Sequence, residues 1–196
     1  MRPEIDASAA APVVSFDDEP LIVVDSDDNV LGHMPKAEAH IGDGVLHRAF
    51  SIFLFDGNGN TLLQRRADGK QLWGGYWSNS CCSHPRRGES VDMAAVRRLR
   101  EELGVDARLS FLYRFEYHAR FGEAGSEHEM CSVYAARSDA PVSVNPNEIS
   151  ACRPVAPDTL DAELAAHPER YTPWLKMEWP RIRAAHWDTV EALAAR

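Results

Sequence analysis

The sequence predicts an α+β fold in which a mixed β-sheet is flanked by helices. Three observations carry this expectation. Short runs rich in β-branched and aromatic residues fill the first third of the chain, one periodic helix lies near its middle, and further strands precede two closing helices. The domain is expected to span residues 19–196 as a single unit, after a flexible tail over residues 1–18.

The elements follow in order. Residues 1–18 are rich in Ala, Pro and acids and have no periodicity, which is the pattern of a tail. Residues 21–24 (Leu-Ile-Val-Val), an Asp/Ser/Asn turn over 25–29 and residues 30–34 read as a hairpin. Residues 47–55 alternate, are rich in Phe and Ile, and meet residues 61–65 across Asp56-Gly57-Asn58-Gly59, a strong hairpin signal. The Gly, aromatic, Asn and Cys loop over 69–88 is long for a compact domain, so it is expected to be functional. Ser90 caps a helix whose apolar residues Met93, Val96, Leu99 and Leu103 recur three and four apart, and Gly104 ends it. Strands are expected at 109–117, 130–136 and 149–155. Asp158 caps a short helix through His167, and residues 181–195 form an amphipathic helix after Pro180.

Bulk composition excludes several classes of function. The chain has 196 residues, 44% of them hydrophobic and 26% charged, which fits one globular domain and argues against wholesale disorder. Thirty acidic residues against 21 basic ones give a formal charge of −9. Neither nucleic acid nor an anionic membrane would be held by such a surface. No apolar run approaches the roughly 18 residues of a membrane span, and Glu4 and Asp6 break any secretory leader. Four cysteines, two of them the adjacent Cys81 and Cys82, do not make a disulfide framework. A reduced, cytoplasmic setting follows as the expectation, with a monomer as the expected state.

Some polar residues suit chemistry better than a packed core. His40, His47 and His84 supply three imidazoles, and a strand through Glu127-His128-Glu129 would set both carboxylates on one face. Together they suit one Mn²⁺ or Zn²⁺ ion better than Mg²⁺, which prefers an all-oxygen shell. Taken singly, each is as well explained as a solvated surface residue.

The helix is more specific. Glu89, Arg97, Leu99, Glu101, Glu102, Gly104 and Val105 fall in the frame of the Nudix box, glycine–x5–E–x7–R-E-U-x-E-E-x-G-U with U aliphatic. Ser83 stands at its first glycine, and Arg98 stands where its first helical glutamate belongs. Arg98 weakens a metal-assisted hydrolase while suiting a site that holds a diphosphate uncut. The plain alternative is a solvated helix laced by Arg97–Glu101 and Arg98–Glu102 pairs.

His40 and His47, Gln64-Arg65-Arg66, the stretch Trp77-Ser78-Asn79-Ser80-Cys81-Cys82-Ser83-His84-Pro85, the box, Glu127-His128-Glu129 and Tyr171-Thr172-Pro173-Trp174 follow one another in this order. At these separations, over roughly residues 20–180, the chain closely resembles the type I isopentenyl-diphosphate isomerases, Nudix-superfamily enzymes of isoprenoid synthesis. Gly74, where that family usually has proline, and Ser83 for its common glycine are departures that touch nothing catalytic.

The resemblance implies a Nudix-like α/β/α sandwich and the conversion of isopentenyl diphosphate to dimethylallyl diphosphate by protonation and deprotonation through a tertiary carbocation. By resemblance, Cys82 is the catalytic thiol on one face of the substrate and Glu129 the acid/base on the other. Tyr117 relays the proton, and Trp174 offers a π face to the cation. The Mn²⁺ or Zn²⁺ ion is then ligated by His40, His47, His84, Glu127 and Glu129, one per chain. A Mg²⁺ ion bridges Glu102 and the substrate diphosphate, with the Cys82 backbone as a further contact. Lys36, Arg66, Lys70 and Arg98 surround the diphosphate. The rival expectations are a Nudix hydrolase of a diphosphate substrate and a non-catalytic metal- or diphosphate-binding domain.

Overall fold

The computed structural model of the protein describes residues 11–194. In chain order the first half consists of β1 (Pro20–Val24), β2 (Val30–Pro35), α1 (Lys36–Ala39), β3 (His47–Phe55), β4 (Thr61–Arg66), β5 (Trp77–Ser78) and β6 (Cys81–Ser83). The second half consists of α2 (Val91–Leu103), β7 (Leu109–Arg120), β8 (Ser126–Arg137), β9 (Ile149–Val155), α3 (Pro157–Ala166), α4 (Pro173–Arg181) and α5 (Trp187–Ala194). The strands join in one mixed sheet, and the α+β class holds.

Strand β3 is the axis of the molecule. It pairs in parallel with β8 along its whole length and antiparallel with β6, and both its faces are buried. Phe50, Ile52 and Leu54 pack beneath α2 against Ala94, Ala95, Leu99 and Leu103. Ala49, Phe53 and Phe55 face the other way, toward Trp174 and Trp179 of α4 and Val190 of α5. The two-sided packing is the α/β/α layering, with helices on both faces of the sheet.

Several expected elements are altered. The hairpin over 47–65 keeps its turn, where Asp56 Oδ1 accepts from Asn58 N and Asn60 N at 2.9 Å and Gly59 takes φ +78°. Its arms then part after the single pair Phe55↔Thr61, because β3 is claimed by β8 and β6 while β4 pairs with β9 and β5. The long loop over 69–88 contains β5 and β6, so its cysteines lie on a short strand.

Helix α2 begins and ends as expected. Ser90 Oγ accepts from Met93 N, and Gly104 takes φ +67° with its N–H on Arg100 O. Its buried face differs: Met93 and Val96 are 64% and 36% exposed, whereas Ala94, Ala95, Arg98, Leu99, Glu102 and Leu103 face inward. Small alanines let the helix approach the sheet closely, and the buried Arg98–Glu102 pair belongs to the site below.

Asp158 does not cap α3. Ala156 holds the cap position with Pro157 at the first helical residue, and Asp158 Oδ1 accepts from Arg183 Nη2 at 2.7 Å. The closing helix starts at Pro173 rather than after Pro180. Pro180 lies inside α4, and a wider π turn over Ile182–His186 joins α4 to α5. Strands β7 and β8 both extend beyond the expected 109–117 and 130–136, which brings Glu127 and Glu129 into β8.

Of the expected tail, residues 1–10 lie outside the described residues. Residues 11–18 contact the body of the domain: Val14 O accepts from Arg98 Nη1 at 2.7 Å and Arg86 Nη2 at 3.0 Å, and Pro12 O accepts from Asn145 Nδ2 at 2.9 Å. No helix among the described residues is long and apolar enough to cross a membrane.

Candidate active site

A cavity of about 430 Å³ opens beside β6 and the start of β8, lined by Arg98 and Glu102 of α2 as well as by Trp174 of α4. The parallel register sets His47 opposite Glu129, and the two-residue period of β8 turns Glu127 and Glu129 to the same face. His40 ends α1 and reaches this point because its carbonyl accepts from Ser126 N at 3.0 Å. Only glycine allows that approach: a Cβ on Gly125, at φ +137°, would stand 2.2 Å from His40 O. Strand β6 carries Cys82 and delivers His84 just past its end.

His40, His47, His84 and Glu127 are all buried, and one ligand atom of each lies within 4.8 Å of every other. The Nδ1–H of His40 donates to Lys36 O at 2.6 Å and that of His47 to Val45 O at 2.7 Å. Both rings therefore turn Nε2 inward, and on His40 burial is outweighed by the Glu127 carboxylate, which raises the ring above its usual value. His47 Nε2, His84 Nδ1 and Glu127 Oε2 are buried without a hydrogen bond, and Glu127 Oε2 lies 2.7 Å from His40 Nε2. Converging lone pairs of this kind need a cation between them, so the residues fit a divalent metal. Burial, and then the charge of His40, pull His47 down to about 4, and burial holds His84 well below its usual value. Both are the neutral rings that ligation requires. Burial raises the Glu127 carboxyl, but His40 and His47 outweigh it and hold the group at about 2.

Glu129 adjoins this group of four. Its Oε1 is 3.0 Å from His84 Nε2, and its Oε2 accepts from the Tyr117 hydroxyl at 2.7 Å. Burial, followed by the charge of Glu127, pushes its carboxyl well above the usual range. Across the cavity, burial pushes the Cys82 thiol up to about 12, with Arg66 opposing the shift. Arg66 Nη1 lies 3.7 Å from Cys82 Sγ, and its guanidinium carbon lies 5.2 Å from the centroid of the Trp174 ring.

All four expected diphosphate cations line the cavity, in different states. Lys36 Nζ contacts Ser15 Oγ, and Lys70 Nζ pairs with Glu148. Arg98, 2% exposed, is ringed by acceptors. Nε and Nη2 reach Glu102 Oε1 at 3.0 and 2.7 Å, and Nη2 also reaches Glu148 Oε2 at 3.0 Å. Nη1 donates to Val14 O at 2.7 Å and Glu101 Oε2 at 3.3 Å. Glu102 lines the cavity through this pair. Glu89, Arg97 and Glu101 of the box tie the loop to the helix instead, through Arg97 contacts of 2.7–3.0 Å.

Sequence reasoning missed Glu148 and the stretch around Val13, Ser15 and Asp17, which also line the cavity. An acid between Asn147 and a strand reads as an exposed turn, and a polar tail reads as solvated. Neither carries a local signal of burial.

Residues 45–175 match the family model described as the NUDIX domain, the class that this layered sheet and its buried donor cluster define. A Deinococcus radiodurans protein of known structure covers 83% of this chain and 98% of its own at 28% identity, with a TM-score of 0.70. A MutT NUDIX hydrolase from Burkholderia pseudomallei shares the fold at 21% identity, covering 70% of this chain and 98% of its own, with a TM-score of 0.56. Within that class the chain belongs to the isopentenyl-diphosphate Delta-isomerases. It is 40% identical to isopentenyl-diphosphate Delta-isomerase 1 of Photorhabdus laumondii, covering 87% of this chain and 98% of that one. The enzyme of that name from Halorhodospira halophila is 41% identical over 87% of this chain and 99% of its own.

Proposed function

We infer that the chain converts isopentenyl diphosphate to dimethylallyl diphosphate, with the diphosphate between Lys36, Arg66, Lys70 and the Glu102 edge of the cavity. The observation that carries this reading is the place of Arg66. Its guanidinium, a flat trigonal cation, lies between the Cys82 thiol and the Trp174 ring. A tertiary carbocation is also flat and trigonal, so the same space suits the five-carbon intermediate once Arg66 turns to the diphosphate.

The proton inventory supports the reading. The Cys82 thiol holds its proton at neutral pH and faces the cavity. Glu129 is the opposing acid/base, and its Oε2 receives a hydrogen bond from Tyr117 that orients the carboxyl and opens a relay. One group adds a proton to the double bond while the other removes a different one, so the double bond moves and no net proton is consumed. Trp174 stabilises the cation without capturing it, as a carboxylate would. When bound, a Mn²⁺ or Zn²⁺ ion at His40, His47, His84 and Glu127, with Glu129 adjacent, would tune the proton affinity of that carboxyl, and Mg²⁺ at Glu102 and the Cys82 backbone would neutralise the diphosphate. The enzyme acts as a cytoplasmic monomer on small diphosphates; its free, unpaired cysteines support a reducing compartment.

The test is a proton NMR time course in D₂O with isopentenyl diphosphate, Mg²⁺ and Mn²⁺. Dimethylallyl signals carrying solvent deuterium are expected. Phosphate release with an unchanged carbon skeleton would assign the chain to the hydrolases, and no reaction at all would leave a binding domain.

A further inference from the structure

The loop residue Asn79 has no part in the chemistry above, yet it is fully buried, at 0% exposure, between the two faces of the site. Its side-chain amide makes every hydrogen bond open to it. Nδ2 donates to Cys81 O at 2.9 Å and to Ile52 O at 3.2 Å. Oδ1 accepts from the Ser78 hydroxyl at 2.9 Å and from the indole Nε1 of Trp174 at 3.1 Å. The same indole N–H also reaches Ser78 Oγ at 2.8 Å, and Ser78 Oγ lies 3.1 Å from Thr172 Oγ1, the residue that precedes α4. A hydroxyl that donates to Asn79 must accept from both Thr172 and Trp174, so all the donors and acceptors in the group are matched.

We propose that Asn79 is a positioning residue that sets the indole of Trp174 against the thiol of Cys82, an inference that rests on the isomerase reading. One planar amide joins the strand that bears the thiol to the ring that faces it. Through Cys81 O and Ile52 O it holds β6 on β3, and through Oδ1 it holds the first turn of α4. It also acts on the ring itself. An indole N–H that donates to two oxygens leaves its π system more electron-rich, and hydrogen bonds in series polarise one another. A richer ring holds a cation more strongly at its face. No other side chain of this size supplies two donors and one neutral acceptor. Aspartate would lose both donations to Cys81 O and Ile52 O and would bring a charge into a dry wall.

The test combines Asn79→Ala and Ser78→Ala with Trp174→Phe, which keeps a ring but lacks the N–H. Initial rates with isopentenyl diphosphate and the bound metal content are measured for the wild type, each single variant and both double variants. Asn79→Ala is expected to lower kcat by about 10²-fold while KM stays within about threefold and metal content is unchanged, because the diphosphate and metal groups are untouched. In the Trp174→Phe background, the same substitution is expected to cost about tenfold less than it does alone, the coupling of residues that act through one contact. Ser78→Ala removes an indole acceptor without loosening β6, and it should show the same coupling on a smaller loss. This variant decides the matter if Asn79→Ala does not fold. Losses that simply multiply, or KM and metal content that fall together with kcat, would overturn the role. A wild type that makes no dimethylallyl diphosphate would overturn the isomerase reading instead.

Discussion

Cys82 and Glu178 show how one kind of burial produces opposite roles. Cys82 is half-buried at the cavity wall, and its protonated thiol faces the cavity. Cys82→Ala should lower turnover by about 10²–10⁴-fold, the usual loss on removing a general acid or base, with metal content unchanged. Residual activity within about tenfold of wild type would take the thiol out of the mechanism. Trp174→Phe should keep a measurable rate and Trp174→Ala lose most of it, and equal losses in both would reduce Trp174 to packing. Glu178 is sealed in the core behind this wall, where Cys131 Sγ lies 3.6 Å from its Oε1 and its Oε2 has no partner. Burial raises its carboxyl from the ordinary 4.5 to about 8. The folded protein then keeps a proton that the unfolded chain loses, so stability falls as pH rises from about 4.5 to about 8 and levels off above that. Glu178→Gln should remove that slope and stabilise the protein at pH 8 by on the order of a few kcal/mol. Urea unfolding of both proteins at pH 5 and pH 8 measures the difference, and parallel slopes would refute it.

Helix α2 was the most legible element, and its inner face the least. Ser90 and Gly104 mark its ends because capping is local chemistry: a hydroxyl on an open N–H, and a residue that tolerates φ +67°. Which face is buried depends on what the sheet offers, and the sheet accepts alanines together with a charged pair. Arg98 was expected to hold diphosphate; it lines the cavity, where Glu101, Glu102, Glu148 and Val14 O surround it. Its charge stabilises these carboxylates whether or not substrate is bound. Arg98→Glu, which restores the Nudix glutamate, should therefore destabilise the protein by on the order of 3–5 kcal/mol, because it buries unpaired like charges. A variant as stable as wild type in urea would show that these pairs are dispensable. The outer helices were misplaced for a related reason. Proline ordinarily ends a helix, yet Pro180 lies inside α4, and a wider turn follows it.

At the scale of the whole molecule, the donor cluster ties together the end of α1, β3, β8 and the segment after β6. A divalent ion there should staple them. Removing it with a strong chelator should lower Tm by about 5–10 °C, as expected for a site filled at about 100 times Kd in a domain of this size. Mn²⁺ or Zn²⁺ should restore the loss, and a Tm indifferent to chelator would remove the cluster from the list of metal sites. The sequence by itself determined the fold class, most strand positions, the two ends of α2 and the candidate donors His40, His47, His84 and Glu127, because periodicity, turn residues and ligand chemistry are local or come in a recognisable order. Only the tertiary structure decided that the two arms over 47–65 part company, that Glu148 and residues around Val14 close the cavity, and that Arg98 is paired with Glu102 and Glu148. Those outcomes depend on which surfaces meet. A buried charge is tolerated only where distant partners surround it, and no stretch of sequence shows who those partners are.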